Sequence, residues 1–425
     1  VRSLAFIFST KCLRFKRNYS IFGAQYTRKP AGTENDNFHL NMIEAPTLPR
    51  NDSKIDSIQI LRAIAALIVT VFHSKDVFSK GEPFKQEVDF LFSSGPAGVA
   101  LFFVISGFIM VYITRNMRSS PLAIYQFMVK RFVRIWPTYA IMTLWFYYIH
   151  HGFSADSRFM KDLIMSLLFI PLTHTDPPFY GNATLSVGWS LNYEIYFYLL
   201  IAVSLFFARY RWPVFFLLIL ITLVVIPVTA GYFTFKPDQS PDFGSGYLNM
   251  ITNPIIWNFV YGVIIGLLYI NPVTHAFFTS LFSRKGLTSA VVLLVIWQYL
   301  SGFFGGLGPF QWGFGAFALF FAIIFHESGT RLHFPAWLVR TGDMSFSIYL
   351  IHMPVLVIIP IFFAKLGYPV FGSGTAMLFL SLSVTLTLSQ LSYHYLELRF
   401  SNFLKSLFPM MESRKKREKA QEARA

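Results

Sequence analysis

The sequence has little charge and almost no cysteine. Only 13% of its 425 residues are Asp, Glu, Lys or Arg, about half the share usual in soluble domains. So few charges cannot cover a chain that is 54% apolar and contains 49 Phe. Soluble globular and disordered classes are excluded. One cysteine, Cys12, excludes a disulfide framework, a Cys-rich zinc site and an iron–sulfur cluster. Acids are scarcer than bases, 21 Asp and Glu against 36 Lys and Arg, for a net charge of +15. Residues 1–54 carry nine Lys and Arg against four acids, and residues 405–425 carry seven against three. Basic flanks around an apolar body mark cytoplasmic ends and anionic lipid, not a nucleic-acid groove. The chain reads as a polytopic protein of the cell membrane.

Runs of roughly 17–25 apolar residues can cross about 30 Å of hydrocarbon as helices. Such runs occur near 57–74, 97–114, 135–150, 187–208, 212–231, 251–270, 288–304, 312–326, 345–364 and 372–395. They are continuous rather than alternating, which favours an all-α bundle of about ten spans over a β-barrel. An eleventh stretch, 163–172, is short and contains Pro171. It is expected to be re-entrant or interfacial, because a full crossing would invert every later loop. With both termini cytoplasmic, the basic segments 115–134, 209–211 and 271–287 all fall inside. Residues 1–54 look like a basic extension, disordered or upstream of a true start at Met42, and residues 404–425 like a basic cytoplasmic tail.

Ionisable groups within spans are expensive and mark function. Arg62 and His73 are eleven residues apart, which places them on one helical face, about 16 Å apart along the axis. An anion binder and a proton acceptor would share that face, although a snorkelling Arg and an interfacial His would look alike. Glu194, in Trp189-Ser-Leu-Asn-Tyr-Glu194, lies inside its span, four residues before Tyr198. It must be paired or protonated, with Arg62, Arg131, Arg134 or His73 as partners. Arg131 and Arg134 are i, i+3 neighbours able to present two guanidinium forks to one anion. Ser106 and Gly107 permit close helix packing. Ser345, Tyr349 and His352 form one polar stripe on an apolar helix, which must face protein or a watery cavity. No metal site is assigned.

These blocks, in this order, resemble the membrane acyltransferase 3 family, whose members O-acetylate surface polysaccharides, O-antigen and related acceptors. The run from Ile58 through Arg62 to His73 resembles the family's Arg-X10-His signature and looks most like exopolysaccharide-modifying members. Phe102–Phe108, Arg131–Arg134, Trp189–Glu194, Gly342–His352 and Tyr393–Glu397 are similar to its later blocks. The closing block departs from the pattern: Arg399-Phe400 follows Glu397-Leu398 where the family has Pro-Phe, and a Pro would set the exit of the last helix. The resemblance covers about 55–403 and implies a transmembrane acyltransferase domain there. It also implies acyl-CoA, such as acetyl-CoA, as a co-substrate rather than a bound cofactor. Arg62, Arg131 and Arg134 would hold its phosphates. His73 would act as general base or carry the acyl group briefly itself, with Glu194 fixing its tautomer. Ser106, Trp189, Tyr198, Ser345, Tyr349 and His352 would line the substrate path. The acceptor would be a hydroxyl of a surface or lipid-linked glycan. A transporter or flippase for an anionic glycolipid is the alternative, since embedded Arg, His and Glu also mark transport pathways.

Overall fold

The computed structural model describes residues 55–408, except 79–80, 153–155, 173–175, 181–182, 331 and 369–371. The expected extension over 1–54 and the tail beyond 408 lie outside these residues. Among the described residues there are helices and no strand. In chain order they are α1 (Asp56–Ser74), α2 (Lys85–Phe92), α3 (Ala97–Thr114), α4 (Pro121–His151), α5 (Ser157–Leu167) and α6 (Trp189–Leu205). Next come α7 (Arg211–Leu220), α8 (Ile226–Thr229), α9 (Gly246–Thr252), α10 (Trp257–Ile270), α11 (Pro272–Phe282) and α12 (Lys285–Ser301). The last are α13 (Trp312–Gly329), α14 (Ala336–Asp343), α15 (Ser345–Lys365), α16 (Gly374–Ser392) and α17 (Ser401–Ser406).

Each of the ten long apolar runs is helical. Among the described residues, six helical stretches are long and apolar enough to cross a membrane unaided, and two bent pairs, if each is one span, raise the number to eight. The pairs are α9 with the helix from Pro254 to Ile270, bent by 43°, and α11 with α12, bent by 84°. Helix α4 carries Lys130, Arg131 and Arg134 within its 31 residues, and α6 has only 17. Both pack in the same bundle as the others. The protein is therefore an all-α, multi-pass membrane bundle.

The expected short segment is α5, 11 residues long and displaced toward the N-terminus from 163–172. Asp156 caps it by accepting from the Arg158 N–H at 2.9 Å, which sets the earlier start. The Arg158 side chain beside Asp156 holds that carboxyl below its usual range. At about 1.5 Å per residue, α5 is too short to cross a bilayer.

Two glycines set the inner packing. A Cβ on Gly107 of α3 would lie 2.1 Å from the Phe259 carbonyl oxygen, and one on Gly262 of α10 would lie 1.9 Å from that of Val104. The two backbones therefore touch, as small residues allow between membrane helices. Phe103 and Phe259 stack beside this crossing at 4.1 Å between centroids. Helices α1, α3, α4, α6 and α15 surround the space next to it.

The closing block also finds its explanation here. Without a Pro at 399, the chain continues from α16 through a π-helical stretch, Tyr393–Phe400, into α17. The wider π turn changes which side chains face inward.

Candidate active site

Helix α1 presents two polar groups to the bundle, Arg62 toward one end and His73 at the other. His73 Nδ1 lies 3.0 Å from the Val69 carbonyl oxygen and 3.2 Å from His352 Nε2. His352 Nδ1 in turn lies 3.2 Å from the Ile348 carbonyl oxygen. A carbonyl oxygen only accepts, so each Nδ1 carries its proton. His73 Nδ1–H is then shared between two acceptors, the Val69 carbonyl and His352 Nε2, and the lone pair of His73 falls on Nε2. The hydrogen-bond network thus assigns one tautomer to each ring. His352 is fully buried on α15, while His73 is half-buried. The ring centroids are 5.1 Å apart.

At the Arg62 end, the bundle forms a small, partly open cavity. Its walls include Arg62 from α1, Ser106 from α3, Arg131 and Arg134 from α4, and Glu194 and Tyr198 from α6. Arg131 is packed with its guanidinium 6.0 Å from the centroids of both Phe127 and Tyr198. Its Nε and Nη1 groups are buried without a hydrogen-bond partner, and such unsatisfied charged donors are costly. Arg131 and Arg134 are one turn apart on α4, and Arg134 and Arg62 lie within electrostatic range of one another. Three guanidinium groups thus converge on one cavity, a donor set suited to a polyanion.

Two carboxylates partly balance them. Glu194 accepts from Ser106 Oγ at 3.2 Å and, more closely, from the Tyr198 hydroxyl. It lies within electrostatic range of Arg62 and Arg131. The expected pairing of Glu194 with His73 is not made. A carboxylate at this level is drawn to guanidinium charge rather than to a neutral imidazole, and the place beside His73 belongs to His352. The second carboxylate is Glu397, which accepts from Ser347 Oγ at 2.5 Å and lies within electrostatic range of Arg62 and Arg134. Ser347 also reaches Ser392 Oγ at 2.8 Å.

Phe102 and Tyr349 also line the cavity. The buried Tyr349 hydroxyl donates to the Val187 carbonyl at 3.0 Å and lies 2.8 Å from Ser190 Oγ. Trp189 does not line the cavity; it packs edge to face on Phe179 and Tyr193. Ser345 is fully buried, its hydroxyl without a partner, and lies outside the lining. The structure therefore gathers Arg62, Ser106, Arg131, Arg134, Glu194, Tyr198 and Tyr349 around one cavity, and pairs His73 with His352 outside its lining. Ser190 also lines the cavity, and Glu397 lies within electrostatic range of Arg62 and Arg134, although neither stood out as a site residue in the sequence. Glu397 did lie in the closing block, whose inward register depends on the π turn. Ser190 had no comparable signal.

Residues 55–394 match the model of the acyltransferase 3 family, described as an acyltransferase domain. A curated relative, the exopolysaccharide production protein ExoZ of Rhizobium meliloti (strain 1021), is 32% identical over 181 residues, 41% of this chain and 51% of the relative. The matching region spans about half the length of that relative. No solved structure matches the chain.

Proposed function

We propose a donor, an acceptor and a route for this chain, which belongs to the acyltransferase 3 family by its match over residues 55–394. It transfers a small acyl group, acetyl being the simplest, from acyl-CoA to a hydroxyl of an exopolysaccharide or its lipid-linked precursor. The name of the relative, an exopolysaccharide production protein, supports that acceptor class. The protein lies in the cell membrane with both termini in the cytoplasm, so the arginine end of the bundle meets the cytoplasmic pool of acyl-CoA.

One observation carries this reading: an arginine-walled cavity and an imidazole with an assigned Nε2 lone pair lie in sequence along α1. Arg131 and Arg134 hold the donor phosphates with help from Arg62, and the thioester extends toward His73. The acceptor hydroxyl gives its proton to His73 Nε2 while its oxygen attacks the thioester carbonyl carbon. The carbon–sulfur bond then breaks, and the departing thiolate takes the proton from His73. The products are an O-acyl glycan and free CoA. His352 accepts from His73 Nδ1–H throughout, keeping the lone pair on the reacting nitrogen and easing charge onto the ring. Glu194 and Glu397 keep the arginines folded inward without neutralising all three.

Mass spectrometry of surface glycan from a deletion strain, with and without the restored gene, tests the acceptor. O-acyl esters present only with the gene are the expected result. Unchanged glycan acylation, with lost glycolipid export instead, would favour a transporter.

A further inference from the structure

A groove lies on the other side of α1 from the arginines. Its walls include Ile64 and Ile68 of α1, Leu101 of α3, Val295 and Ile296 of α12, and Leu319 of α13. Ile64 is two positions beyond Arg62, about 200° around the helix, so the groove and the arginine cavity use opposite faces of α1. Helices α1, α3 and α13 belong to stretches able to cross a membrane. Two of the wall residues are themselves exposed, Ile64 by 41% and Ile296 by 47%. The groove therefore opens sideways, toward hydrocarbon.

Helix α12 is its loose wall. Of the 17 residues in α12 only Thr288 is buried, while Leu293, Leu294 and Trp297 are exposed. It packs chiefly on α13, and toward α1 and α3 it leaves the groove instead of a closed seam. An apolar crevice repels water, and lipid tails are as apolar as the side chains that line it. With so little of it buried, α12 can lean outward to admit a chain.

The polar atoms of the wall select the part of a lipid that fits. Gln298 lines the groove, but its Nε2 donates to the Gln311 carbonyl at 3.2 Å. Tyr299 and Trp312 line it too, and the Tyr299 hydroxyl and Trp312 Nε1 are buried with no partner among the described residues. An indole N–H only donates and a phenol can donate, so the missing partner is an acceptor. Tyr299 is two residues from the end of α12 and Trp312 opens α13, as befits side chains that meet the lipid interface at helix ends. Leu319 is seven residues into α13 from Trp312, about 10 Å deeper. A ligand with acceptor oxygens at one end and an apolar chain behind them matches this order. No Lys or Arg lines the groove, so it suits a neutral ester and not a phosphate, which calls for cationic partners.

We infer that the groove between α12 and α1 with α3 binds one acyl chain of a bilayer phospholipid, whose ester carbonyls accept from Tyr299 and Trp312. The bound chain joins α12 to the core of the bundle. This site is separate from the proposed donor and acceptor and does not depend on them.

The test titrates the full chain, delipidated in mild detergent, with dioleoyl phosphatidylglycerol and reads bound lipid by native mass spectrometry. Wild type should hold one phospholipid more tightly than the rest. Ile296→Trp, which fills the groove from its exposed edge, should weaken that lipid by about tenfold or more. Tyr299→Phe removes one oxygen and keeps the shape, so it tests the site even if the Trp variant fails to fold. It should weaken the lipid by about 2–10-fold. The diether analogue lacks the ester carbonyls, and it should bind wild type more weakly and not distinguish it from Tyr299→Phe. Equal binding by wild type and folded Tyr299→Phe, or of ester and diether lipid by wild type, overturns the proposal. So does tighter binding of a polyprenyl phosphate, or a dimer formed through α12 in place of the lipid.

Discussion

His73 and His352 stand 279 positions apart in the chain, yet His73 Nδ1 lies 3.2 Å from His352 Nε2. In the proposed mechanism this contact would make His352 a positioning residue for a base at His73. Replacing His352 by Leu removes one of the two acceptors that face His73 Nδ1–H, leaving the Val69 carbonyl, and should lower kcat by about 10²-fold, the usual worth of general-base organisation. His352→Gln keeps an acceptor and should recover part of that loss. The apparent affinity for CoA should stay unchanged in both, since the arginine cavity is untouched. A rise in KM with constant kcat would place His352 in donor binding instead.

The arginines should behave in the opposite way. Arg131→Ala or Arg134→Ala should raise KM for acyl-CoA more than it lowers kcat. Arg131→Lys should restore binding only in part, because an ammonium cannot form the bidentate fork. Competition between labelled acyl-CoA and free CoA measures this, and equal affinity in all three variants would assign the charges to membrane topology.

Glu194 should couple to the arginines and not to the imidazole. Glu194→Gln combined with Arg131→Ala should cost less than the product of the single losses in donor binding, because each single change leaves a charge unpaired. Combined with His352→Leu, the same Gln substitution should give losses that multiply. The reverse pattern in these two double-mutant cycles would restore Glu194 to the His73 site.

The α3–α10 crossing tolerates no side chain. Gly107→Leu or Gly262→Leu would drive a side chain into a carbonyl already 2.1 or 1.9 Å from the nearest possible Cβ. Folded yield and thermal stability should fall sharply, and even Gly107→Ala should cost roughly 1–3 kcal/mol from overpacking. Normal melting of Gly107→Ala in detergent would mean that the two helices can separate.

Much of this was legible in the sequence wherever the information is local. Continuous apolar runs determine where helices form, because lipid leaves the backbone no other partner. The shared face of Arg62 and His73 follows from helical period alone, as does the i, i+3 pairing of Arg131 and Arg134. Contacts across the bundle are not encoded that way. The partner of His73 comes from α15, and nothing near Glu194 distinguishes a guanidinium neighbour from an imidazole. Glu397 turns inward through a π-helical stretch, a departure from the 3.6-residue period on which face assignments rest. The basic segment 271–287 likewise forms α11 where a loop was expected, bent by 84° against α12.

The central claim is that His73 Nε2 accepts the proton of the acceptor hydroxyl. Its most direct test is turnover of radiolabelled acetyl-CoA by His73→Ala, purified in nanodiscs and compared with wild type at matched folded amount. Transfer should drop by about 10²-fold or more, with CoA competition at the arginine cavity unchanged. Turnover within a few-fold of wild type would contradict it and remove His73 from the chemistry.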